Sequence, residues 1–144
     1  MNIIGFSIRE IRAGREENIP PKISVSNNIK IKNVGEDEIK ELGKKCVKID
    51  YEFAVTYTSQ NKRVGEIKIS GALLGIGKDI KKSLDRWKRE KKLTEEHHFL
   101  VLNTVLRRCL IKAMEIAEDM QMPAPFPLPV VPRQKLGEET KYIR

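Results

Sequence analysis

The sequence predicts an α+β fold: a four-stranded antiparallel sheet with two C-terminal helices packed on one face. Two observations carry that expectation. Apolar side chains recur at every second residue through the first half of the 144-residue chain, and the period then lengthens to that of a helix from about residue 80 onward. One-faced strands of this kind bury one side under helices and leave the other to water.

The first strand is read from residues 3 to 13, where Ile4, Phe6 and Ile8 point one way and Ser7 and Arg9 the other. It is expected to end at Gly14, because the segment to Pro21 carries Glu16, Glu17 and the pair Pro20-Pro21, which lack the N–H donors of a ladder. From Lys22 to Lys32 the alternation is strict: Ile23, Val25, Ile29 and Ile31 take the odd positions, with Asn27 their one polar member. Gly35 to Lys45 reads as a connector in which Ile39 and Leu42 can share one helical turn. Alternation returns with Val47, Ile49, Tyr51, Phe53, Val55 and Tyr57, against polar Lys48, Asp50, Glu52 and Thr56. A turn from Ser59 to Arg63 leads into Val64 to Leu74, with Ile67, Ile69 and Leu73 on one face, so the third and fourth strands are expected to form a hairpin.

Asp79 is placed to cap a helix carrying Ile80, Leu84 and Trp87, with Asp85 and Arg89 paired on its outer side. Thr94 offers a second N-cap, followed by Glu95 and Glu96 where the helix dipole favours negative charge. The helix it opens runs to about Met120, with Leu102, Leu106, Cys109, Ala113, Ile116 and Met120 as its apolar stripe and Phe99 one step before it. Truncating Leu106 to alanine is accordingly expected to cost about 2 to 5 kcal/mol. Five of the seven prolines fall between Pro123 and Pro132, which forces an extended strap. Residues 1–132 read as a single domain and 133–144 as a polar C-terminal tail.

Charge and composition narrow the function. The chain carries 28 Lys and Arg against 20 Asp and Glu, a formal charge of +8. Its apolar runs are far shorter than the roughly 20 residues of a membrane helix, and the first residues lack a signal peptide's apolar centre. A soluble, cytoplasmic protein without membrane insertion is expected. Cys46 and Cys109 are too few for a disulfide scaffold or a zinc ribbon. Residues 78–92 hold eight basic and three acidic side chains, net +5. Such a face attracts phosphate backbones, so nucleic-acid binding through this helix is the alternative function. The usual role of a charged helix face is solvation, and neither an RNP motif nor a GxxG loop accompanies it.

Enzyme chemistry is not expected. Ala72 to Lys78 lies where a phosphate loop would, but Asp79 stands in the position of the Mg²⁺-binding Ser or Thr, and its carboxylate would repel phosphate. His97 and His98 are neighbours on a helix and point about 100° apart, which prevents them from gripping one metal. Both are read as helix-start residues. Cys109 belongs to the apolar stripe as a small core residue with a raised pKa. No metal or other cofactor is expected.

The long helix and the proline-rich run after it resemble SecB, the export chaperone family that holds non-native precursor proteins. That family ends its long helix on Arg-x-Cys-Ile and continues, after a helical run, with Phe-Pro, five residues and Pro-Val. Here Arg107-Arg108-Cys109-Leu110 is followed by Met122-Pro123 and then by Pro129-Val130. The interval from Cys109 to Pro123 is longer than in SecB by close to one helical turn. Upstream, Phe6-Ser7-Ile8-Arg9-Glu10-Ile11 is similar to the first SecB strand and Val47 to Tyr57 to its third. The resemblance spans residues 4 to 132 and implies a SecB-like holdase, of an archaeal or thermophile type given the abundance of Lys, Glu and Ile.

It further implies ATP-independent binding of non-native polypeptide clients in apolar grooves and a homo-tetramer built as a dimer of dimers. The crossover between the first two strands is shorter than in SecB, and no acidic surface matches the one SecB presents to SecA, so SecA docking is not implied. Groove candidates are side chains outside the main stripe: Trp87, Leu93, Phe99, Met122, Phe126 and Leu128. The last two either fasten the chain end to the domain or line the groove.

Overall fold

The computed structural model describes residues 1–128. Strands β1 (Asn2–Arg15), β2 (Ser24–Ile39), β3 (Lys44–Ser59) and β4 (Lys62–Ile76) precede helices α1 (Ile80–Glu90) and α2 (Glu95–Asp119). The strands form one antiparallel sheet in the order β1-β4-β3-β2. β3 and β4 are therefore central, while β1 and β2 are edges. The α+β class and the two-helix layer agree with the expectation. The extended run predicted past Leu128 and the tail at 133–144 lie outside the described residues.

The alternation of β3 sets the core. Val47, Ile49, Tyr51, Phe53, Val55 and Tyr57 are each at most 1% exposed, and Ile67, Ile69 and Leu73 of β4 are fully buried beside them. Each large side chain buried in this way contributes about 1.5 to 3 kcal/mol. The other face is polar and half-exposed, with Lys32 paired to Glu52 at 3.1 Å and Arg63 to Glu66 at 2.6 Å. The hydrogen bond from Lys32 is the main reason the Glu52 carboxyl lies below its ordinary range. Gln60 and Asn61 take left-handed φ of 51° and 63°, so β3 and β4 are joined by a two-residue primed turn instead of the longer loop expected.

Bulges account for the largest departures from the sequence reading. Ile3 pairs with Gly75 and Gly5 with Leu74, which leaves Ile4 as an extra residue, and a second shift falls between Ile8 and Glu10. An extra residue inverts the side-chain parity beyond it. Ile4, expected inward, is the bulged residue and is exposed, whereas Phe6 reaches inward and stacks on Tyr51 at 5.2 Å; Ile8 keeps the face of Phe6, opposite Gly71, but stays 38% exposed on the edge strand near Ile111 of α2. In β2 the shift lies between Ile31 and Asn33, after which Val34 returns to the core opposite Ile49. Residues 35–45, expected to be a connector with a helical turn, therefore continue the strand to Ile39 and turn through Gly43 at φ +61°.

Helix α2 packs on β3 and β4 through Val101, Val105, Cys109, Ala113 and Ala117, all buried. Of the expected stripe, Cys109 and Ala113 hold these positions, whereas Leu102, Leu106, Ile116 and Met120 are only partly buried at its flanks. The reason is steric. Small side chains spaced by four residues form the ridge that lets a helix lie close to a twisted sheet, and larger leucines are displaced to either side. Leu106→Ala is thus expected to cost about 1 to 2 kcal/mol, below the range for a fully buried leucine, as a denaturant melt will report.

Candidate functional site

An open groove of about 580 Å³ lies where the end of α1 and the start of α2 meet the edge strand β2. Trp87 and Leu93 are buried in its floor with Leu102 beside them, Ile29 and Ile31 enter from β2, and Phe99 stands at the mouth 55% exposed. Its elements explain each placement. The odd residues of β2 face the helices, Trp87 lies one helical repeat beyond Leu84 on the inner face of α1, and Lys91 ends that helix in a left-handed cap that turns the chain toward Leu93. The rim is basic: Lys30, Arg86, Lys91 and Lys92 line it with one acid, Glu95, and His98 stands beside them. Lys91 Nζ sits 5.8 Å from the Trp87 ring, a cation–π contact. The indole N–H of Trp87 has no hydrogen-bond partner among the described residues.

Of the six groove candidates, Trp87, Leu93 and Phe99 line this one hollow, and the other three lie apart from it. Met122 is buried in the core, its methyl group packed where Gly65 leaves room. Phe126 and Leu128 line a second apolar hollow with Val25, Ala124, Pro125 and Pro127. That hollow lies about 13 Å from the groove along β2, judged by the four residue steps from Val25 to Ile29. The strap between is held by side-chain donors, as a proline-rich segment with few N–H groups requires. Arg15 donates to the Met120 carbonyl (2.9 Å), the Tyr57 hydroxyl to Pro123 (2.7 Å) and Asn27 to Pro125 (2.9 Å). Asn27, the polar exception in the β2 alternation, is therefore the strap's anchor. The sequence reading missed Ile29, Ile31 and Leu102 as groove residues, although the odd-position pattern of β2 already placed the first two on the helix face.

Asp79, His97 and Ser83 form a chain that superficially resembles a hydrolytic triad. His97 Nε2 donates to the Asp79 carboxylate at 2.8 Å, which leaves Nδ1 to accept from the Ser83 hydroxyl. Ser83 in turn accepts the Thr94 N–H at 3.2 Å. Ser83 and His97 are 1% and 2% exposed, so no substrate reaches the hydroxyl and the group is a clamp between the two helix starts. This corrects two expectations. Neither Asp79 nor Thr94 caps its helix with a side-chain hydrogen bond, and His97, in the first turn of α2 as expected, is not a bystander there but a buried link between the helices. Both cysteines are buried, and burial pushes the Cys109 thiol up to about 11.

The clamp has a testable acid signature. The His97 hydrogen bond, followed by that from the Met1 amine, holds the Asp79 carboxyl at about 2 against an ordinary 3.8. A depressed folded-state value means stability that is present above the unfolded value and lost as pH falls through the folded one. Asp79→Asn is therefore expected to lower the melting temperature at neutral pH and to flatten the loss between about pH 4 and pH 2. Parallel melting curves of parent and variant across that window would refute the assignment.

No protein-family model matches the chain, and no curated protein matches it. Among solved structures the chain is similar to the Mycobacterium tuberculosis Rv1957 SecB-like chaperone, determined in complex with a ChAD peptide from the Rv1956 HigA1 antitoxin. The TM-score is 0.55 at 11% sequence identity, over 93% of this chain and 92% of that one. The strand order, the edge groove and this likeness together give the chain a SecB-like fold.

Proposed function

We propose that the protein is a holdase that binds non-native polypeptides along β2, without ATP, cofactor or catalysis. The observation that carries this reading is the groove, in which Phe99 stands more than half exposed above an apolar floor of Trp87, Leu93, Ile29 and Ile31. Hydrophobic burial is non-directional and tolerates many client sequences. A SecB-like fold in a protein solved with a bound peptide supports the same reading. At near-stoichiometric ratio the purified protein should suppress light scattering by a chemically unfolded test protein in the absence of ATP. Failure with several unrelated clients would end the proposal.

The assembly is proposed to be a tetramer formed as a dimer of dimers. Among the described residues β1 is an unpaired edge, and Ile8 and Ile11 along it, with Ile111 of α2 at 65% exposure, leave apolar surface that a second copy can cover. Light scattering in moderate salt tests this, and a monomer at micromolar concentration would contradict it. The strap hollow is proposed as an accessory surface. Phe126→Ser and Leu128→Ser are expected to weaken client holding while costing no more than about 1 kcal/mol of stability; parent-like holding by both would leave the strap a packing element.

The basic surface of α1 supports a second reading, nucleic-acid binding. Lys78, Lys81, Lys82, Lys88 and Arg89 are all exposed on or beside that helix. Binding to mixed single- and double-stranded nucleic acid should be weak and without sequence preference at physiological salt if the surface is only solvated. Cytoplasmic placement belongs to the holdase proposal; among the described residues no helix is long and apolar enough to cross a membrane. A thermophile-type origin is supported by composition alone, and a high melting temperature would be its first test.

A further inference from the structure

We infer that the groove selects extended apolar segments that carry acidic side chains. The inference rests on the holdase reading and adds a charge class to it. Its ground is the asymmetry of the rim, where Lys30, Arg86, Lys91 and Lys92 face one acid, Glu95. Arg86 is engaged by Glu90 at 3.0 Å, whereas Lys91 and Lys92 are exposed and make no ion pair among the described residues. The strap hollow offers the internal comparison, since among the described residues its lining contains no charged side chain. A carboxylate next to the apolar residues of a client therefore gains attraction at the groove that it does not gain at the strap.

Charge also decides between occupants. Residues 129–144 contain four basic and two acidic side chains, and a second copy of the chain carries a net +8. Both meet a basic rim with the wrong sign. A nucleic acid has the right sign, but Trp87 is buried and Leu93, Ile29 and Ile31 are aliphatic, which leaves Phe99, among the described residues, as the one large aromatic side chain exposed for stacking where successive bases need several. An extended peptide with both apolar and acidic side chains satisfies floor and rim together.

The test uses the full chain and short fluorescent peptides that share one apolar core and differ only in flanks of Asp and Glu, of Ser and Asn, or of Lys and Arg. By fluorescence anisotropy at low salt the acidic peptide should bind about tenfold more tightly than the basic one, with the gap closing at high salt. The double charge reversal Lys91→Glu with Lys92→Glu should invert the order of the acidic and basic peptides, with a thermal melt close to the parent's showing that the fold survives. Equal affinities, or preference for the basic peptide, would overturn the selectivity and leave the holdase reading standing. If no peptide binds, both fall. Displacement of the acidic peptide by a synthetic 129–144 peptide, by oligothymidylate or by self-association at equal or lower concentration would assign the groove to that occupant and overturn the inference.

Discussion

Replacing Phe99 and Leu102 together by serine is expected to reduce client holding by about tenfold or more while leaving the fold intact. Burial of one large apolar side chain against a client is worth about 1.5 to 3 kcal/mol, and about 1.4 kcal/mol is already a factor of ten in affinity. Phe99 is more than half exposed and Leu102 only half-buried at the flank of α2, so little of that energy is used in folding. The fully buried ridge of Val101, Val105 and Cys109 is untouched by the change. The ratio of protein to client giving half-suppression of light scattering measures the loss, and a thermal melt of the variant within a few degrees of the parent shows that the fold survives. A well-folded variant that holds clients like the parent would place binding elsewhere.

The second large effect is structural. Gly71→Ala is expected to destabilise the protein by about 3 kcal/mol, which is a fall of about 10 °C in melting temperature. A Cβ at that position would land on the Ser7 carbonyl of β1 and come within 2.9 Å of the Tyr51 hydroxyl. The Tyr51 hydroxyl donates to that same carbonyl at 2.9 Å, so the missing side chain is what allows a core tyrosine to reach across β4 and tie down the edge strand. The change therefore adds overpacking and also leaves a buried hydroxyl unpaired, which costs about 1 to 3 kcal/mol alone. Tyr51→Phe removes only the hydrogen bond and should cost about 1 kcal/mol. Equal small losses in the two variants would show that β1 shifts freely.

How far the sequence makes this fold legible depends on parity. β3 and β4 are readable because every odd residue from Val47 to Tyr57 is apolar and the pairing across the turn keeps register up to its last few residues. β1 and the far half of β2 defeat the same reading because a bulge leaves no mark in composition: the extra residue at Ile4 turns that side chain out of the face shared by Ile3, Phe6 and Ile8, and the one between Ile31 and Asn33 reverses the faces of the residues beyond it. On α2 the sequence places apolar residues around more than half of the circumference. Hydropathy ranks leucine above alanine, yet packing distance favours Val105, Ala113 and Ala117 against the sheet and turns Leu102 and Phe99 toward the groove. The groove is half visible for that reason. Trp87, Leu93 and Phe99 stand out as large residues off the stripe, whereas Met122, equally large and apolar, fills the space beside Gly65 through a contact between distant segments that no local pattern encodes. The Asp79–His97–Ser83 clamp is hidden in the same way, since three unremarkable helix-start residues become a network only when α1 and α2 meet.

Where clients bind is the central claim, and amide hydrogen exchange on the protein with and without a saturating unfolded client tests it most directly. Binding along β2 predicts new protection in the Ile29 to Ile31 stretch of that strand, around Leu93 and in the first turns of α2 through Phe99 and Leu102, with little change along the outer edge of β1. Protection confined to the β1 edge and the face of α2 around Ile111, with β2 exchanging as in the free protein, would contradict it.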